Sequence, residues 1–422
     1  MSNPDNQQTN PSGGRRTRSR RKKLIRRVLL IGIPVVILIT VATIVSIVLI
    51  SGRNAEKPVE PTEPAQETVI ELAFAGDLNI TDKVVEAGAT DSGYDYTQVF
   101  KDVLPLLAGA DQTVLNFEGN LCGSPYGSQN TSAPTELLDA LSAAGVDLLQ
   151  VANSCTINNG LLGLEETLSR IRSAGMEPLG AYASPEEFKQ SRGFVLREIR
   201  GVKVAFVAFT KGMDNIALPA GQEDCVNLLY TDYTSTYQKV DTEGITDLLR
   251  SIAAEQPDVT VALLHWGSEY NAQISNSQKK IVKLLKAEGV DAIIGTHSHH
   301  LQQIELDEEN GTFIAYSLGD FLGDADRSTS AYSAVLKLRF AKNDQTGQTR
   351  FDGFEYDPIY TFTQETEDSI FTQVMRIKPA IADYEAHGIT AVPEETYTAM
   401  KAAEAKIAKL MTPPPKDNEE SK

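Results

Sequence analysis

The run VLLIGIPVVILITVATIVSIVLI, Val28–Ile50, holds 23 residues without a charge. Such a run is long enough for a helix to cross the ~30 Å hydrocarbon layer of a bilayer. Within lipid it can only be a helix, because each main-chain polar group must find its partner inside the segment. Buried core helices are seldom so long and so uniformly apolar, and no A-x-A-like cleavage site follows, so the run reads as a retained anchor rather than a cleaved leader. Residues 1–27 carry nine Lys or Arg against the single Asp5. Positive charge beside a span stays in the cytoplasm, so the N-terminus is expected inside and the chain after Ser51 outside, at the cell surface. The cluster RRTRSRRKKLIRR could also grip nucleic acid, but the charge elsewhere opposes this. The first 50 residues net +8, which leaves −26 for the rest of a chain whose total is −18. A domain so acidic is repelled by phosphate backbones, and no nucleic-acid partner is expected.

Residues 51–67, SGRNAEKPVEPTEPAQE, are rich in Pro and Glu and nearly free of large apolar side chains, which predicts an extended, solvated linker. From residue 68 short apolar runs alternate with helical periodicity. VIELAFAG, VDLLQVAN, KVAFVAFT, VTVALLHWG and VDAIIGT read as strands; TELLDALSAAG, GLEETLSRIRSAG, GITDLLRSIAAEQ and NSQKKIVKLLKAEG read as helices. This alternation is the signature of an α/β fold. QQIELDEENGTFIAYSLGDF and AYSAVLKLRFAKNDQTGQTRFDGFEYDPIY follow as antiparallel hairpin material with NG and NDQTGQ at the turns. The folded domain is placed at 68–385, and residues 386–422 at a C-terminal helix, PEETYTAMKAAEAKIAKLM, with a disordered tail.

Polar groups recur at one kind of place, just after the apolar runs. FAGDLNI presents Asp77, TVLNFEGNL presents Asn116 and Glu118, LLQVANSCTINNG presents Asn153, LLHWGSEY presents His265 and Glu269, and IIGTHSHH presents His297 and His299. The last stretch places three of the chain's five histidines within four positions. If the sheet is mostly parallel, these groups share the strands' C-terminal edge, where open α/β sheets hold their ligands. Alone, an Asp after a strand is usually a cap or turn residue, and a lone His is usually a hydrogen-bonded structural residue. Together, carboxylates, an amide and imidazoles form a donor set suited to one or two divalent ions such as Zn, Mn or Fe.

GDLNI, NFEGNL, VANSCTINNG, HWGSEY, GTHSHHLQ and YSLGDF, in this order and spacing over about residues 68–325, resemble the CapA family of capsule and poly-γ-glutamate synthesis proteins, also called PgsA. That resemblance implies a layered α/β/β/α sandwich resembling metallophosphoesterases, preceded by one transmembrane helix. It implies Asp77, Glu118, Asn153, His265, His297 and His299 as metal ligands, with Glu118 bridging two ions, and it leaves His300 and His387 as bystanders. The chain departs from the family pattern ANNH..D.G, because Cys155 stands where the His is usual and Asn158 where the Asp is usual; YSLGNF is likewise YSLGDF, with Asp320. A Cys cannot replace the His as a cation, so the acid–base group is left to Cys155, Glu269 or Asp320 as candidates. The resemblance implies a part in the synthesis, export or anchoring of an anionic capsule polymer such as poly-γ-glutamate, with the polymer or its synthase complex as partner. One form of that role is a metal-dependent phosphoesterase or polymer-cleaving hydrolase, and the other is a non-catalytic assembly factor that kept the pocket and lost the acid. The three cysteines, Cys122, Cys155 and Cys225, are expected outside the membrane, where disulfides persist. A Cys122–Cys225 bridge and a Cys122–Cys155 bridge both remain open on sequence.

Overall fold

The computed structural model describes residues 33–53, 66–309, 311–324, 329–366, 370–387 and 392–414. The chain divides into two compact units at Pro64 and Ala65. In the first, α1 (Ile33–Arg53) takes up the uncharged run from Ile33 to Ile50 and continues past it, and its Ile37, Leu38, Val41, Ile44, Val45 and Val48 are exposed. The basic segment 1–27, the start of the run at 28–32 and the linker at 54–65 lie outside the described residues. Among the described residues no helix is long and apolar enough to cross a membrane.

The second unit opens with β1 (Glu67–Asn79), beside which β2 (Gln112–Glu118), β3 (Leu148–Gln150) and β4 (Glu177–Leu179) line up in parallel. Helices α2 (Glu136–Ala143) and α3 (Gly160–Ser173) make the crossovers. The chain then builds a separate six-stranded sheet. It consists of β5 (Val195–Ile199), β6 (Val202–Thr210), β7 (Val259–His265), β8 (Ala292–Thr296), β9 (Ile304–Asp307) and β10 (Thr312–Ala315), with α4 (Thr242–Ala253) and α5 (Asn276–Ala287) between its parallel members. It returns to the first sheet as β11 (Asp320–Leu322), parallel to β1, and as the antiparallel strands β12 (Tyr332–Asn343), β13 (Thr349–Glu365) and β14 (Ile370–Arg376). Two helices close the unit, α6 (Ile377–His387) and α7 (Glu394–Leu410).

Period-two alternation within the strands sorts the side chains into layers. Along β6, Val204, Phe206 and Ala208 enter an apolar cluster with Leu72, Phe74 and Val114 of the first sheet, while Ala205, Val207 and Phe209 enter another with Leu249 and Ile252 of α4 and Ile281 and Leu285 of α5. The outer face of the first sheet packs Leu115, Phe117 and Leu149 on Leu137, Leu141, Leu164 and Leu168. The sequence of layers is therefore helix, sheet, sheet, helix. The hairpin expected through YSLGDF ends early, because β9 and β10 pair antiparallel but Asp320–Leu322 leaves them for the first sheet. The C-terminal helix does not stand apart, since Met400, Ala403 and Ile407 join the cluster between the sheets.

At the strands' N-terminal edge one device repeats four times. Asp111, Asp147, Asp258 and Asp291 each stand immediately before a parallel strand and accept the main-chain N–H of Glu71, Thr113, Lys203 and Thr260 at 2.9, 2.7, 2.7 and 2.7 Å. Each aspartate's own N–H returns a bond to the carbonyl of that same residue. Burial pushes Asp291 from an ordinary 3.8 up to about 6, with the Thr260 amide bond opposing. Between roughly pH 4 and 6 the folded chain thus holds a proton that the unfolded chain has released, and stability falls as pH rises through that window. Asp291→Asn keeps an oxygen for Thr260 and removes the buried charge. It is expected to melt higher than wild type at pH 7.5, by up to about 3 kcal/mol at about 1.4 kcal/mol per pH unit, and to melt with it near pH 4. Equal melting at both pH values would refute a buried charge at this position.

Candidate metal centre

The opposite edge gathers the chemistry. Strand pairing sets Asp77 level with Asn116 and with Asp320, and His265 level with both Thr210 and Thr296. Two close approaches make this possible. A Cβ on Gly76 would lie 1.7 Å from the Gly319 oxygen, and one on Gly295 would lie 2.0 Å from the Tyr316 oxygen, so only glycine lets these backbones touch. After β8 the chain turns through left-handed residues, His297 at φ 86° and His299 at φ 53°. Non-glycine residues hold such angles at a cost of about 1–3 kcal/mol each, typically at functional sites. Here the turn aims the His297 N–H at both Asp77 carboxylate oxygens, at 3.0 and 3.3 Å, and so ties the two sheets together.

Two trios of ligand atoms result, Glu118 with His265 and His297, and Asp77 with His299 and Asp320, each within 4.8 Å of one another and all buried. In the first, His265 Nε2 lies 3.3 Å from Glu118 Oε1 and 2.9 Å from Ser154 Oγ. Lys211 Nζ donates to His297 Nε2 at 3.0 Å. An ammonium can only donate, so Nε2 of His297 is the acceptor in this bond. In the second, His299 Nδ1 donates to Asp320 Oδ1 at 2.7 Å and lies 3.8 Å from Asp77 Oδ2. Asn116 Nδ2 donates to Asp77 at 2.7 Å, and Asn153 Nδ2 donates to Asn116 Oδ1 at 3.0 Å and to the Phe117 carbonyl at 2.7 Å.

The charges reflect three carboxylates in a dry space. Burial pushes Asp77 well above its ordinary value, helped by Glu118 and Asp320. Burial also acts on Glu118, but His265 and His299 outweigh it and draw that carboxyl down to about 2. Burial, His265 and Lys211 hold His297 well below the ordinary imidazole value, whereas Asp320, Glu118 and Asp77 overcome burial at His299 and raise it to about 11. One oxygen, Glu118 Oε2, is buried with no hydrogen-bond partner among the described residues. A carboxylate lone pair left dry costs several kcal/mol unless something positive meets it. The donor set and this orphaned oxygen therefore fit a divalent ion.

Of the six side chains expected to be ligands, Asp77, Glu118, His265, His297 and His299 fall in the two trios, which Asp320 completes, while Asn153 stands behind them on Asn116. Glu269 is exposed at the rim and makes no hydrogen bond to either trio among the described residues. Cys155 is buried, and burial, then Glu118, pushes its thiol well above the ordinary value, with Thr131 beside it opposing. His300 Nε2 sits 2.8 Å from Thr329 Oγ1, and His387 pairs with Asp383, so both are bystanders. Neither disulfide forms: all three cysteines are free thiols. Cys122 Sγ points to Ser132 and Cys225 Sγ to Gln222, while Cys155 lies by Thr131. Sequence reasoning missed Ser154 and Lys211. Lys211 directly follows β6 and so obeys the strand-end rule that found the others. Ser154 carried no signal beyond adjacency to Asn153.

Comparison with known proteins places this geometry. Over 355 residues the chain is 26% identical to the PGA biosynthesis protein CapA of Bacillus subtilis, covering 81% of this chain and 83% of that protein. It is likewise 26% identical over 318 residues to the capsule biosynthesis protein CapA of Bacillus anthracis, covering 72% of each. Among solved structures it is similar to the calcineurin-like phosphoesterase YfkN of Bacillus subtilis, at 16% identity and a TM-score of 0.39 over 82% of this chain and 99% of that one. Residues 71–325, which hold every side chain of both trios, match the family described as bacterial capsule synthesis protein PGA_cap, and the chain belongs to that family.

Proposed function

We propose that the protein takes part in making, exporting or anchoring an anionic capsule polymer, with poly-γ-glutamate as the model case, and that it does so outside the cell through a divalent-metal centre. The observation that carries the reading is the convergence of Asp77, Glu118, His265, His297, His299 and Asp320 from two sheets onto one buried spot, with Glu118 Oε2 unpaired. These six, with Asn153 as a neighbouring amide oxygen donor, would hold one or two ions of Mn, Zn or Fe. Such an ion supplies Lewis acidity and a compact positive charge at which anionic oxygens can be held. The chain's own residues do the rest: Asn116 and the His297 N–H orient Asp77, Asp320 orients His299, and Ser154 with Thr296 orients His265.

The anchoring part of the proposal rests on the uncharged run Val28–Ile50 and the basic residues before it. They support an N-terminus in the cytoplasm, the run across the membrane and the chain after Ser51 outside the cell. Removing the chain from the cell that makes it is expected to abolish cell-bound polymer. Re-expression of wild type restores it, and re-expression of Glu118→Gln does not. Protease added to intact cells should digest the domain after Ser51. Normal polymer in the Glu118→Gln strain would sink the metal centre's role, and a protected domain would reverse the orientation.

A further inference from the structure

We infer that Lys211 is the anchor that receives an oxyanion, a carboxylate or a phosphate, beside the metal centre; this deepens the proposed function and rests on it. Lys211 is the one Lys or Arg hydrogen-bonded to either trio among the described residues. Its backbone N–H bonds the His265 carbonyl at 2.8 Å, which fixes it to the rim that carries the ligands. Its ammonium stands 3.0 Å from His297 Nε2, 3.3 Å from the Gly267 carbonyl and 4.6 Å from the centre of the Tyr237 ring.

Two of its three N–H groups are thereby used, and the third has no partner among the described residues. A lysine present only for stability would close an ion pair with one of the acids nearby. Asp214 and Glu269 are close enough to act on its charge, yet Lys211 makes no ion pair with either among the described residues. The charge is held ready by a carbonyl, an imidazole and an aromatic face, none of which neutralises it. An oxyanion that meets an ion held by the trios would meet this ammonium at the same place. It would thereby gain the cation that the family pattern supplies as a histidine and that Cys155 cannot provide. On the same rim the exposed Tyr270 holds its ring 5.2 Å from that of His299, an apolar face that suits a flexible chain carrying the anion.

The test uses the full chain in detergent, loaded with manganese and titrated with inorganic phosphate and separately with a γ-linked glutamate oligomer. Lys211→Met should weaken binding by about tenfold or more, the worth of one charged hydrogen bond. Lys211→Arg should stay within about threefold of wild type, and Lys280→Met, which removes an exposed charge on α5, should change nothing. A loss confined to phosphate, or confined to the oligomer, supports the inference and names the oxyanion. Manganese uptake is measured in each variant. Equal uptake with unchanged anion affinity in Lys211→Met overturns the inference while leaving the metal centre intact, and a wild type that binds neither anion overturns it as well. A wild type that takes up no manganese defeats the proposed centre instead; the metal-free titration then decides Lys211 by the same comparison.

Discussion

Replacing His297 and His299 together by alanine is expected to abolish manganese or zinc uptake by the full chain and to erase the thermal stabilisation that the metal confers. The pair removes one imidazole from each trio, so neither half of the centre keeps its nitrogen donors beyond His265. Stabilisation by a ligand follows RT ln(1 + [L]/Kd), and about 2.7 kcal/mol vanishes at about 100-fold excess over Kd. Melting with and without chelator, alongside metal analysis, reads this directly. A wild type whose melting temperature ignores added metal would remove the basis of the centre. His297→Gly adds a control: glycine accepts the left-handed angle at little cost, so the metal-free form of this variant should be more stable than that of His297→Ala.

The second large effect concerns hydrolysis. Wild-type phosphodiesterase activity is expected to be weak, because the buried Cys155 thiol stays protonated and offers no cation to a leaving group. Cys155 and Asn158, two departures from the family pattern, share one neighbour: the Cys155 thiol lies by Thr131, and Asn158 Nδ2 donates to Thr131 Oγ1 at 3.4 Å. They therefore form one local unit and should be exchanged together. Cys155→His with Asn158→Asp is expected to raise metal-dependent hydrolysis by about 10²- to 10⁴-fold, the usual worth of a positioned acid–base group. Robust hydrolysis by the unaltered chain would show that Asp320 or Lys211 already serves. An unchanged rate in the doubly substituted protein, with metal bound, would mean that the pocket does not present a scissile bond and would favour a holding role.

The centre was legible in the sequence because its residues interrupt apolar runs at the point where each strand ends. That rule picked out Asp77, Asn116, Glu118, Asn153, His265, Glu269, His297 and His299, and the family resemblance narrowed them by setting Asn116 and Glu269 aside as ligands. Asp320 was visible only as a departure from the family pattern, and its bond to His299 makes it part of the second trio. Lys211 obeyed the rule but has no lone pair for a metal, so a search for ligands passed over it. The division of the strands into two sheets was not legible, because β6 and β1 carry the same apolar alternation and only tertiary pairing decides their partners. The cysteine pairing failed for a related reason: proximity to strand ends says nothing about which strand ends meet.

The four aspartates at the opposite edge each hold a main-chain amide, though Asp111 also pairs with Arg200 and Asp258 with Lys342, and a main-chain amide is present whatever the side chain beside it. That edge therefore carries no information about substrate. Loops between helix and strand there can be lengthened, shortened or exchanged between relatives as long as the aspartate and its register survive. The histidine edge has no such freedom, because its glycines and left-handed turns fit one arrangement. A chain built this way has a conservative rim and a permissive rim, and laboratory evolution of new polymer specificity should leave its insertions on the second while its few decisive point changes fall on the first.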